Sequence, residues 1–164
     1  MTDETLWRPL PNIDDHCFAC GLKNPHGLKM RFHTDGGRVR ATVTVAEHLR
    51  GWQKLVHGGV LATIIDETMA WSAIHLLSRF ILTREMTIRY RKPVPVGAAL
   101  TVTGYPGHRT DARNITMIAE IVDRDGDICC TGEGAFVLFT EKQFSRMNIL
   151  SDSQIREMKR MFAR

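Results

Sequence analysis

The sequence has no Gly-x-Ser-x-Gly elbow, which argues against a serine hydrolase built on a strand–turn–helix nucleophile. It has one Cys-x-x-Cys pair, Cys17 and Cys20, and no second one. A closed structural zinc site would want both pairs. His16 and His26 flank the pair, but the remaining cysteines, Cys129 and Cys130, are adjacent on a predicted strand and so point to opposite faces. No metal and no cofactor are expected, and the thiols read as small packing residues. No N-terminal apolar stretch reads as a signal peptide. Asp66 and Glu67 interrupt the best candidate for a run of about 20 apolar residues. A cytoplasmic protein with reduced cysteines is the expectation. The net charge of +4 is mild, without the dense basic patch and interleaved aromatics that nucleic-acid binding calls for. There is no internal repeat and no low-complexity segment. The 164 residues are enough for one domain with a proper core.

What is there centres on Val56-His57-Gly58-Gly59-Val60-Leu61-Ala62-Thr63-Ile64-Ile65-Asp66-Glu67. Two glycines open a helix that is predicted to run from about Gly58 to about Leu77. The backbone N–H groups at such a start are open to an anionic or polarised oxygen. Two acids then interrupt the apolar run, and buried carboxylates are costly unless paired or used. An oxyanion site with a nearby carboxylate is the minimum equipment for acyl transfer or hydrolysis. At 1.5 Å rise per residue, Gly58 and Asp66 stand about 12 Å apart on one helix, too far to share one carbonyl. Two antiparallel helices across a two-fold axis could bring Gly58 of one chain to Asp66 of another.

The flanks of this helix read as strands. Residues 1–10 suggest a short helix capped by Thr2 or Asp3, and the Gly- and Asn-Pro-rich stretch Cys17 to Gly27 a loop. A strand follows at about Leu28 to Thr34, with Asp35-Gly36-Gly37 as a hairpin turn. Val39, Ala41, Val43 and Val45 alternate with polar residues as a half-buried strand. After the helix, Leu82 to Arg91 alternates again, with Met86, Ile88 and Tyr90 on one face, until Pro93 and Pro95 end it. Further strands fall at about Ala99 to His108, Asn114 to Asp123 and Ile128 to Phe139. Ser151 and Gln154 have capping-box spacing ahead of a basic amphipathic run. The order is β-β-α-β-β-β-β, an α+β protein with a curved antiparallel sheet around one central helix. The divisions are an N-terminal segment at 1–27, the sheet-and-helix domain at 28–140 and a tail at 141–164.

Several pieces together carry a resemblance: His57-Gly58-Gly59 with an acid eight residues after Gly58, Ile88-Arg89-Tyr90-Arg91-Lys92-Pro93-Val94-Pro95-Val96-Gly97, the terminal hairpin, and the Cys17 to Gly27 loop. Over residues 17 to 140 the chain resembles the hotdog-fold thioesterases, in the branch related to phenylacetate-pathway and 4-hydroxybenzoyl-CoA thioesterases. The resemblance implies hydrolysis of an acyl-CoA thioester in a homodimer or homotetramer, with sites at the dimer interface. By position Asp66 matches the catalytic acid, as nucleophile or as general base, with Glu67 as its rival. Gly58 matches the oxyanion donor, with Gly59 beside it, and His57 a residue that lines the site. Thr83 matches a hydroxyl that orients the water or the acid. Arg89, Arg91 and Lys92 match a region that holds coenzyme A phosphates. Met69, close to Asp66 on the helix, is expected to line the acyl group. One position departs from the pattern: where relatives carry an Asn or Gln that positions water, this chain has Gly51, with Gln53 as a substitute. That departure favours an alternative, a non-catalytic hotdog module that binds acyl-CoA. No membrane or nucleic-acid partner is implied.

Overall fold

A computed structural model describes residues 7–109 and 111–163. The helix α1 spans Gly58–Leu77. It is long and apolar enough by length and composition to cross a membrane, the two acids notwithstanding. Here it is wrapped by a sheet, which is what an all-round apolar helix requires. The strands are β1 (Arg8–Pro9), β2 (Phe32–Thr34), β3 (Val39–Thr44), β4 (Phe80–Tyr90), β5 (Ala99–Arg109), β6 (Asn114–Val122) and β7 (Ile128–Phe139). They form one antiparallel sheet in the order β1-β2-β3-β5-β6-β7-β4. This is the α+β arrangement of a curved sheet around a central helix, the hotdog fold.

Alternation along the strands decides which side chains meet the helix. Val39, Ala41, Val43 and Val45 are all buried, as their spacing predicts. On the facing side of α1, Ile64, Ile65, Met69 and Ala73 are fully buried. Two glycines let the sheet approach this closely: a Cβ on Gly104 would lie 2.4 Å from Ser72 Oγ, and one on Gly132 would lie 2.2 Å from Ile65 Cγ2. No side chain fits at either contact.

The strand β4 behaves differently. Among the described residues it pairs only with β7 and closes one end of the sheet, with Leu82, Met86 and Tyr90 exposed. Its register slips between Thr83 and Glu85. The extra residue reverses which side chains face inward. Ile81 and Thr83 point toward α1 before the slip, and Ile88 and Tyr90 after it.

Four boundaries differ from the sequence reading. Arg8–Pro9 pairs with β2 as a short strand, where a helix was expected, while Thr2 and Asp3 lie outside the described residues. β2 begins at Phe32, because residues 28–31 are tied to the Cys17–Cys20 loop through Leu28 N–H to Phe18 C=O and Met30 N–H to Ala19 C=O. β4 begins two residues earlier, at Phe80. A short helix α2 (Glu141–Ser145) precedes the anticipated tail helix α3 (Asp152–Phe162), which carries the expected Ser151–Gln154 capping box. The tail is packed: Ile155, Met158 and Met161 are buried, and Phe80 stacks on Phe144 with ring centroids 4.9 Å apart.

Candidate functional site

The start of α1 is built by His57. Its backbone is extended (φ −62°, ψ 134°), and its Nδ1 accepts the Gly59 N–H at 2.9 Å. Its carbonyl accepts from Val60 and Leu61 N–H. The ring is therefore a helix cap, with Nδ1 used as an acceptor. The Gly58 N–H has no acceptor among the described residues. It points outward from a helix N-terminus, where the dipole favours negative charge. Tyr90, from the end of β4, donates its hydroxyl to the Gly58 carbonyl at 2.9 Å. This bond fixes the first turn of the helix against the edge strand.

Asp66 lies two turns further on, half-buried, and accepts a hydrogen bond from Thr83 Oγ1 at 2.9 Å. Burial pushes its carboxyl above the ordinary value of 3.8, and the Thr83 hydroxyl partly opposes this. A carboxylate in that state is a better base than a fully solvated one. Residues 59, 62, 63, 66 and 70 make up the less buried face of α1. Gly58 and Asp66 both contact β4, through Tyr90 and Thr83, and stand about 12 Å apart along the axis. No single carbonyl reaches both within one chain.

Glu67 has different neighbours from Asp66. It turns toward the N-terminal loop, where Trp71 Nε1 donates to Oε1 at 3.1 Å and Cys17 Sγ lies 3.6 Å from the same oxygen. Burial raises its carboxyl to about 7. The neighbouring Cys20 and its backbone N–H lower Cys17 to about 5 against the opposing effect of burial, while Cys20 is pushed upward, first by its bond with Cys17.

Two of the expected binding residues are placed elsewhere. Met69 is fully buried, with its Cε close to the position a Cβ on Gly134 would take. It belongs to the core between helix and sheet. Lys92 is held by Asp123 at 2.5 Å and Asp127 at 2.6 Å, which clamp the turn between β6 and β7. Those two carboxylates neutralise the charge that a phosphate would use. Arg89 and Arg91 remain exposed and without an ion pair among the described residues. Gly51 sits against the His57 ring, and Gln53 is exposed in the turn at residues 52–55.

Sequence reasoning missed Tyr90 and the pairing of Glu67 with Cys17 and Cys20. Tyr90 had a usable signal, an aromatic with a polar tip on the inward face of a strand, which usually finds a hydrogen-bond partner. The second contact joins residues 50 apart, and local spacing carries no trace of it.

The sequence model of the Thioesterase superfamily matches residues 53–130. The chain is similar in both sequence and fold to the hotdog-fold thioesterases, and the resemblance read from its motifs stands. Among particular relatives, it is 33% identical over 55 residues to the acyl-coenzyme A thioesterase THEM4 of Xenopus laevis. The match covers 34% of this chain and 24% of that protein, so the chain spans about a quarter of the relative. A solved thioesterase superfamily protein is 31% identical with a TM-score of 0.68, covering 75% of this chain and 60% of the other. A thioesterase protein from Streptococcus pneumoniae TIGR4, solved with coenzyme A, shares the fold at 22% identity and a TM-score of 0.56, covering 62% of this chain and 81% of the other.

Proposed function

We propose that the protein hydrolyses an acyl-CoA thioester at a site shared by two copies of the chain. The carrying observation is Asp66, held by Thr83 on the open face of α1, two turns from a free Gly58 N–H at the helix start. The edge strand β4 and its exposed Leu82, Met86 and Tyr90 support pairing with a second copy. In an antiparallel pair of α1 helices, Asp66 of one copy faces Gly58 of the other. The thioester carbonyl oxygen accepts from the partner Gly58 N–H, which stabilises the developing oxyanion. The Asp66 carboxylate acts on the carbonyl carbon directly or removes the proton from an attacking water. Either route starts from the ionised acid and ends with carboxylic acid and free CoA thiol. Arg89 and Arg91 supply the positive charge suited to the CoA phosphates.

Gly51 in place of a water-positioning amide favours the second reading, a module that binds acyl-CoA without turnover. The experiment is thiol release from aryl, short-chain and long-chain acyl-CoA thioesters, with thermal stability followed in parallel. Turnover of one class supports the hydrolase. Stabilisation by an acyl-CoA with no thiol release makes the binding module the correct reading.

A further inference from the structure

We propose that Cys17, Cys20 and Glu67 bind a zinc-class divalent cation, with a fourth coordination position open to the adjoining cavity. The two thiol sulfurs and a Glu67 carboxylate oxygen all lie within 4.8 Å of one another. Zinc–sulfur bonds of about 2.3 Å and zinc–oxygen bonds of about 2.0–2.2 Å put neighbouring donors of one tetrahedral ion roughly 3.5–3.8 Å apart. The Cys17 Sγ to Glu67 Oε1 distance, 3.6 Å, is already in that range.

The backbone that presents the thiols is already shaped. Gly21 N–H donates to the Cys17 carbonyl at 2.9 Å, and Cys20 N–H approaches Cys17 Sγ at 3.5 Å. A Cβ on residue 21 would lie 2.5 Å from backbone atoms of Asp15 and Cys17, so only glycine closes this turn. Asn12 Nδ2 donates to the Cys20 carbonyl at 2.7 Å, which holds the loop from a second side. The carboxylate comes from the core helix, and Trp71 Nε1 orients it. An oriented outer partner of this kind is what ligating carboxylates have in metal sites.

Charge supplies the driving force. Glu67 has no cationic partner among the described residues. An enclosed acid beside two thiols is costly to ionise, and a divalent ion replaces their protons with fixed positive charge. Two sulfur donors select zinc-class ions over magnesium or calcium. The three donors line a cavity of about 240 Å³ with Ala70, Ile74 and Ile81. That space leaves room for a water as fourth ligand, the open arrangement of three protein ligands plus solvent. The thioesterase reading uses none of these three groups, so the two proposals stand or fall separately.

The test titrates the reduced, chelator-stripped full chain with Co²⁺, followed by displacement with Zn²⁺. The expected result is one ion per chain, with sulfur-to-cobalt charge-transfer absorption that is reduced in Cys17→Ser and absent in Cys17→Ser/Cys20→Ser. Glu67→Gln keeps both thiols, so it is the informative variant if the cysteine variants fail to fold. It is expected to weaken binding by at least ~10-fold, as loss of a charged ligand requires, and to reduce the rise in melting temperature that Zn²⁺ gives the unaltered protein. Failure to bind either ion, or a spectrum unchanged in the double cysteine variant, overturns the proposal. So does an unchanged affinity in Glu67→Gln.

Discussion

If each site takes Asp66 from one chain and the Gly58 N–H from another, two differently disabled chains restore activity when mixed. Asp66→Asn removes the acid and keeps an acceptor for Thr83. Gly58→Pro removes the oxyanion donor with little disturbance, since Gly58 is the first helical residue, where proline is tolerated. His57, with ψ at 134°, already has the extended backbone that a residue before proline adopts. The cost falls on Tyr90, whose hydroxyl lies 3.3 Å from a Cβ at residue 58 and must shift slightly. Loss of a general base lowers the rate by about 10²–10⁴-fold, and loss of one oxyanion donor by about 10²–10³-fold. Each parent alone therefore retains at most ~1% of the activity. A mixed dimer has one intact composite site and one doubly disabled site. A purified mixed dimer should show about half the wild-type turnover, and a statistical mixture about a quarter. The assay is thiol release from co-expressed, differently tagged chains. A mixed dimer no more active than the mean of its parents would refute the shared site, and with it the argument from the 12 Å separation, an estimate of about two helical turns.

Thr83→Val removes the hydroxyl that holds down the Asp66 carboxyl. The acid limb of the kcat/KM–pH profile should move to higher pH, with kcat/KM lower by about ten-fold, or ~1.4 kcal/mol; an unmoved limb separates Thr83 from the chemistry. Asp66→Asn should raise the melting temperature while it abolishes turnover. Because the folded carboxyl is raised above its ordinary 3.8, ionised Asp66 destabilises the fold. That penalty is absent below the unfolded value, appears as pH rises through it, and is complete above the folded value. Thermal melts should therefore show the gain at pH 8 and its loss below about pH 4. Gly132→Val places a Cβ 2.2 Å from Ile65 Cγ2 and 3.0 Å from Ile88 Cδ1. Denaturant unfolding should report a loss of about 1–3 kcal/mol, with partial recovery on adding Ile65→Ala.

The fold was legible wherever one face of an element is buried. The alternation from Val39 to Val45 and the glycine-opened apolar helix each have one good structural answer, and the observed sheet and α1 follow them. A motif match singled out Asp66, Thr83 and Gly58, and the structure joins the first two by a hydrogen bond on the open face of α1. The burial of Met69 against the sheet was not legible, because proximity in sequence says nothing of which residues of a helix meet the sheet. Three residues beyond Asp66 is already the core side here. The ion pairs of Lys92 were not legible because its partners, Asp123 and Asp127, belong to a turn that folds back onto it. The reversal of inward-facing parity in β4 depends on one register slip near Arg84, and an uninterrupted period of two cannot show it. Glu67 reads locally as a second candidate acid, and only the loop carried over α1 gives it Cys17 and Cys20 as neighbours.

The central claim is that the Asp66 carboxylate acts on an acyl thioester. Its most direct test is free-thiol release from the acyl-CoA panel by wild type and Asp66→Asn side by side, with both proteins shown to be folded. The account predicts turnover of at least one thioester class by wild type and a loss of about 10²–10⁴-fold in the variant. Wild-type turnover that survives in Asp66→Asn would contradict it.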